Sequence, residues 1–177
     1  NIMRVVGSLG GIVCIHCESG DEIKRLQNEL AEAGKLSPAA HAASRPPHTE
    51  SEAAKKAISM AEKTSCPLYI VHVSTRETVE LIKSARNRGV KVAGEVCPHH
   101  LLFDVSAYDD VFERAATCVI SPPLRSAEHR EALWKGMEDG VIESAGTDHC
   151  PFMMSQKMHG VADFRKIPNG AGGVEHR

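Results

Sequence analysis

Short apolar runs alternate along the chain with longer segments in which apolar residues recur every three or four positions. Residues 11–16 (GIVCIH), 67–73 (PLYIVHV) and 90–96 (VKVAGEV) are apolar and rich in β-branched side chains, and 118–120 and 142–147 are shorter runs of the same kind. Each reads as a buried strand. Between them, residues 21–33 place Ile23, Leu26 and Leu30 on one helical face and stop at Gly34. A second helix is expected from Thr49 to about Lys63, with Thr49 and Glu52 as a capping box. Ser74 and Glu77 repeat that pattern ahead of Val79, Ile82 and Ala85, and 127–137 form a further helix before Gly140. The tail from 152 to 177 reads as irregular.

Strands alternating with helices predict an α/β fold with a parallel sheet, and near-continuous apolar strands fit a sheet covered on both faces. An open doubly wound sheet and a (β/α)8 barrel both satisfy this pattern. A glycine-rich phosphate loop would favour the open sheet, and the chain has neither G-x-G-x-x-G nor G-x-x-x-x-G-K-[ST].

Composition narrows the function classes. Lys plus Arg total 21 and Asp plus Glu 23, a net charge of −2, which argues against nucleic acid or a membrane surface held by bulk charge. The 42% hydrophobic content is enough to bury a core, so disorder is not expected. No run reaches the ~18 apolar residues of a membrane span. The opening NIMRVVGSLGG makes a poor signal peptide, and targeting stays unread because the chain does not begin with Met. With 177 residues, one domain or a piece of a larger one is expected. Six cysteines, mostly inside apolar segments, suggest reduced thiols and a cytoplasmic setting rather than a disulfide scaffold.

The chemistry gathers where the apolar runs end. These ends read His16-Cys17-Glu18, His72-Val73-Ser74, Glu95-Val96-Cys97-Pro98-His99-His100, Ser121-Pro122 and Thr147-Asp148-His149-Cys150. In a barrel such ends converge on one face, where the site of such enzymes lies. His16, His72 and Asp148 together suit a divalent cation, because neutral imidazole and carboxylate are its usual N and O donors. Cys14 lies two before His16 and is expected to be a small buried hydrophobe rather than a ligand. His99 and His100 are adjacent, so at most one faces a given site, and loop or surface use is the default. His149 and Cys150 are too close in sequence for a nucleophile–base pair. His41, His48, His129, His159 and His176 are expected to be solvated.

At these residues the chain resembles the hydantoinase and dihydropyrimidinase branch of the metal-dependent amidohydrolases. The matching stretches are GGIVCIHCESGD, HAASRPPHTE, LYIVHVST, KVAGEVCPHHLLFD, CVISPPLR, GTDHCPF and DFRKIPNGAGGVEHR. The resemblance implies the C-terminal half of a (β/α)8 TIM barrel, incomplete, in which residues 1–177 supply about strands 5 to 8 with their helices. It implies two divalent metal ions, usually zinc. His16 and His72 would bind one of them. Asp148 would bind the other and carry the catalytic proton. Ser121 and Asn169 would hold a cyclic amide or ureide ring, largely through main-chain groups. The implied reaction adds water to a ring carbonyl and releases an N-carbamoyl amino acid, and the implied assembly is a homotetramer.

Three departures qualify the likeness. The family's His-x-His and carboxylated bridging Lys have no counterpart in the chain, so a fragment is expected, poorly soluble or self-assembling and without turnover alone. Cys97-Pro98-His99-His100 is closer to dihydroorotases, and Gly172-Gly173 stands where a Pro preceding Gly is usual. Two alternatives therefore stay open. One is a dihydroorotase or allantoinase with the same chemistry. The other is a non-catalytic, dihydropyrimidinase-like assembly or signalling protein.

Overall fold

The computed structural model describes residues 2–176, and for His176 the backbone alone, so the expectation for that imidazole lies outside the described residues. Helix α1 (Ile2–Ser8) leads into strand β1 (Val13–Ile15). Three helices follow, α2 (Gly20–Glu32), α3 (Ala39–Ala43) and α4 (Pro47–Thr64), before strand β2 (Leu68–Ile70). Helix α5 (Arg76–Asn87) connects to strand β3 (Val92–Val96). An insert with α6 (Pro98–Leu102) and α7 (Phe112–Thr117) precedes α8 (Ala127–Glu138), strand β4 (Ser144–Ala145) and the short α9 (Met154–Lys157).

The four strands pair in parallel in the order β1-β2-β3-β4. Sequential parallel neighbours mean that each connection returns the chain to the next position without reversing. This is the winding of a barrel wall, whereas an open doubly wound sheet reverses its strand order. Helix α4 packs on α5, and α5 on α8, as an outer layer in the same order.

Two cores hold this arrangement. The larger lies between sheet and helices and includes Leu68, Ile70, Ile82, Val92, Val96, Leu133 and Ile142. Gly94 marks its closest approach: a Cβ there would stand 2.8 Å from Ile82 Cδ1 and 2.9 Å from Ile142 Cδ1. The smaller core gathers Ala40, Tyr108, Ala116, Val119, Ile120, Leu124, Phe164 and Ile167, tying α3, the insert and the tail together.

Several expectations change. Residues 118–120 form no strand. Val119 and Ile120 are buried in the smaller core, and the Val119 carbonyl accepts from Gly170 N at 2.9 Å. Burial made the segment apolar, without a ladder. The run at 142–147 pairs only at Ser144–Ala145, because Ile142 N turns back to Gly136 O at 3.0 Å. Thr49 is not a cap. Helix α4 begins two residues earlier at Pro47, which suits a first helical position, and the Thr49 hydroxyl donates to Pro46 O at 2.8 Å. At α5 the cap is Thr75, which accepts from Thr78 N at 3.3 Å, since the Ser74 hydroxyl is committed to Glu50. Among the described residues no helix is long and apolar enough to cross a membrane.

Candidate active site

The register pairs Ile15 with Ile70, Ile70 with Gly94, and Val96 with Ala145. The strands therefore end near one level, and the residues that follow them share one rim. His16 directly follows β1, His72 lies two past β2, and Asp148 lies three past β4. His16 and His72 meet: His16 Nδ1 is 3.0 Å from His72 Nε2, with the rings edge-on, centroids 4.7 Å apart and planes at 72°.

His16 is held from its other side. Its Nε2 lies 3.0 Å from Glu18 Oε2, which also accepts from Arg45 Nη1 at 2.6 Å. The His16 side chain is 45% exposed, whereas Glu18 is 3% exposed. His72 is buried, and burial followed by the His16 charge lowers its pKa below that of a free imidazole, with Asp148 acting in the opposite direction. Asp148 is exposed, and its carboxylate makes no hydrogen bond among the described residues.

His72 and Asp148 share an unusual backbone. Their φ angles are 40° and 44°, and Ser65 is the other described non-glycine residue at positive φ. Such conformations cost of order 1–3 kcal/mol each and cluster at functional sites. The sheet face beneath the rim carries a polar group: Tyr69 Oη donates to Glu95 Oε2 at 2.9 Å and lies 2.7 Å from Ser144 Oγ. The His72 amide reaches Glu95 Oε1 at 3.4 Å.

Beyond the sheet, the Ser121 hydroxyl donates to Asn169 Oδ1 at 3.1 Å, joining residues 48 positions apart. His99 bonds the Gly172 carbonyl. His149 Nδ1 accepts from the Gly173 and Val174 amides at 3.0 and 3.1 Å and is thus occupied by the tail rather than by Cys150.

Other histidines depart from expectation. His48 and His159 are solvated, but His41 is 2% and His129 4% exposed. His41 Nε2 lies 2.7 Å from Ile120 O, and His129 Nδ1 accepts from Arg76 N at 3.1 Å. Burial lowers the His41 pKa to about 3. His100 is buried as well, 3.0 Å from Pro122 O, with its pKa lowered by burial to about 4. One carbonyl meets the Nε2 of each ring, while His100 Nδ1 is buried without a hydrogen-bond partner among the described residues. Cys14 is exposed rather than buried, because it sits on the polar sheet face opposite Tyr69. Cys14-Ile15-His16-Cys17 has C-x-x-C spacing, but Cys17 is buried, its thiol pushed up to about 12 by that burial, so the two thiols form no pair. Sequence reasoning named Glu18 and Glu95 among the strand-end residues without giving either a role, and it passed over Arg45 and Lys157. Glu95 left the stronger signal, as a carboxylate inside an apolar strand.

Among the described residues no three His, Cys, Asp or Glu side chains enclose a common point. The His16–His72 pair nevertheless has the donor chemistry for a divalent cation. Two ligands at 2.0–2.1 Å from a tetrahedral ion lie about 3.3 Å apart, close to the 3.0 Å here. Burial favours neutral His72, the ligating form, and the Glu18 contact at His16 Nε2 suits the tautomer that leaves Nδ1 as the lone-pair donor.

No family model matches the chain. Known relatives do. The chain is 42% identical to the D-hydantoinase of Geobacillus stearothermophilus over 96% of its own length and 36% of that protein's. It is 41% identical to the dihydropyrimidinase of Arabidopsis thaliana, over 96% of itself and 32% of that protein. Among solved structures, the dihydropyrimidinase of Brevibacillus agri superposes with a TM-score of 0.97 at 38% identity, covering 99% of this chain and 38% of that one. The four-stranded parallel sheet thus corresponds to part of those barrels. Over the third or so of their length that it spans, the chain belongs to the hydantoinase and dihydropyrimidinase family.

Proposed function

We propose that the full-length protein hydrolyses a cyclic amide or ureide, a dihydropyrimidine or a hydantoin, to an N-carbamoyl amino acid. The observation that carries this reading is the His16–His72 pair, 3.0 Å apart at the ends of neighbouring parallel strands. The family likeness supports it. The His-x-His and carboxylated Lys of the resembled family are not among residues 1–177, so the proposal concerns a protein that supplies them.

In this reading His16 and His72 hold one divalent cation and Asp148 a second, with zinc suited to the imidazole donors. When bound, such ions polarise the ring carbonyl and acidify water toward neutral pH. The remaining work falls to the chain's own groups. Arg45 and Glu18 fix the His16 ring through Nε2. Asp148, with no hydrogen bond of its own, accepts the proton of the attacking water and delivers it to the ring nitrogen as the C–N bond breaks. Ser121 and Asn169 orient the ring so that this nitrogen faces Asp148. Residues 1–177 act as one partial barrel domain. The free thiols agree with a cytoplasmic setting, and the resemblance adds a homotetramer.

The test is ring opening by the full-length protein supplied with zinc. Dihydrouracil, hydantoin, dihydroorotate and allantoin are offered separately, and the carbamoyl product is quantified. Turnover of dihydrouracil or hydantoin is expected. A folded, metal-loaded sample that opens none of the four would reject the proposal and favour a non-catalytic assembly role.

A further inference from the structure

Lys157 is a buried cation with no carboxylate partner among the described residues. Its side chain lies at the end of α9, the residue is 2% exposed, and Nζ donates to three main-chain carbonyls: Pro168 at 2.7 Å, Gly170 at 2.8 Å and Val119 at 3.2 Å. The Phe152 ring centroid lies 5.4 Å away. An ammonium has three protons, and all three are used. Burial lowers its pKa to about 8, with Cys118 and Cys150 acting against that, so the three-donor form predominates at pH 7. Burying a charge is costly unless its hydration is replaced, and here three carbonyl dipoles replace it.

The source of those carbonyls gives the arrangement its meaning. Two come from the segment carrying Asn169 and one from the segment leading to Ser121. These segments also meet through the Gly170 amide on Val119 O at 2.9 Å and the Ser121 hydroxyl on Asn169 Oδ1 at 3.1 Å. Gly170 sits at φ 154°, and a Cβ there would collide with the Cys150 carbonyl and stand 2.9 Å from Phe152 Cε2, so the loop has little freedom to relax. A trans, planar peptide points its C=O and its N–H in opposite directions. With the Pro168 and Val119 carbonyls turned to Nζ, the amides of Asn169 and Ile120 are turned away from the lysine.

We propose that Lys157 is a positioning residue for substrate binding, a main-chain clamp that sets the direction in which the Asn169 and Ser121 segments present their polar groups to the cyclic amide. This rests on the ring-holding role proposed above. It predicts that loss of the clamp weakens substrate binding while the proton transfer at Asp148 proceeds.

The experiment compares wild type, K157M and K157R in the full-length, zinc-supplied protein, with amide hydrogen exchange and steady-state kinetics on dihydrouracil and hydantoin. For K157M, exchange across residues 167–171 should rise at least tenfold while the amides of 68–70 and 92–96 keep their protection. KM should rise at least tenfold with kcat within threefold. Unchanged exchange at 167–171 or an unchanged KM would overturn the proposal. Should K157M unfold throughout, K157R decides, because it keeps the charge but its planar fork cannot serve three converging carbonyls at once. Raised KM with strand protection retained supports the clamp, and wild-type values in both readouts overturn it. If the wild type opens neither ring, the functional reading falls, and the exchange comparison alone then decides whether Lys157 holds the loop.

Discussion

His16 Nδ1 and His72 Nε2 face each other at 3.0 Å across two adjacent parallel strands, although 56 positions separate the residues. The register of Ile15 with Ile70 brings the strand ends level, and His72 meets its neighbour from a backbone at φ 40°. Neither residue could make this contact from an antiparallel pairing, where successive strands end on opposite rims.

Asp148 should be dispensable for folding and necessary for turnover. It is exposed, its carboxylate makes no hydrogen bond among the described residues, and it lies at φ 44°, where Asn is at least as well tolerated. Asp148→Asn in the full-length protein should lower carbamoyl product formation by several orders of magnitude and leave the melting temperature within about 3 °C of wild type, since surface changes are usually within ±0.5 kcal/mol. Near-normal turnover would remove the proton-transfer role.

Stability should fall with acid well above the carboxylate range. His41 and His100 titrate near 6.5 when unfolded but at about 3 and about 4 in the fold. Below pH 6.5 the unfolded chain therefore binds more protons than the native one. The contribution of the neutral, buried rings is complete above 6.5 and is lost as pH falls from there to about 4 for His100 and about 3 for His41. Two such groups give a slope of about 2–3 kcal/mol per pH unit at the steepest. Urea midpoints between pH 7.5 and 4.5 measure this directly, and a flat profile over that range would show that the rings are not held neutral.

Glu50 anchors the junction of α4 with the start of α5. Its Oε1 accepts from the Ser74 and Thr75 amides, each at 3.2 Å, and from Thr75 Oγ1 at 2.8 Å, while Oε2 takes the Ser74 hydroxyl and pairs with Arg125 at 3.6 Å. Burial alone would raise its pKa, but the Arg125 charge and the surrounding hydroxyls overcome that and hold it lowered. Glu50→Ala leaves a buried guanidinium uncompensated and should cost about 3–5 kcal/mol, a melting loss on the order of 10 °C. A loss under 2 °C would mean that Arg125 finds another partner.

The strand-and-helix alternation was legible because buried parallel strands write themselves as apolar runs, and the residues ending those runs lie along one rim. The same rule misled at 118–120, where an apolar run marks the smaller core and its carbonyl serves Lys157 and Gly170. His41 sits in a short alanine-rich helix and bonds Ile120 O of the insert, and the His129 ring is covered where α8 meets the start of α5, contacts that no local pattern shows. Glu50 and Lys157 gave no local signal at all. The hydroxyl and amide partners of Glu50 lie 24 and 25 residues away and Arg125 farther still, and those of Lys157 are main-chain atoms, which carry no sequence signature.

The most direct test of His16 and His72 as a shared ligand pair is the zinc content of the full-length protein, by elemental analysis of wild type against the double variant H16A/H72A. Wild type should carry two ions per protomer and the double variant one fewer, with far-UV circular dichroism unchanged. Equal zinc content in the two folded proteins would mean that these imidazoles meet for a purpose other than holding a cation.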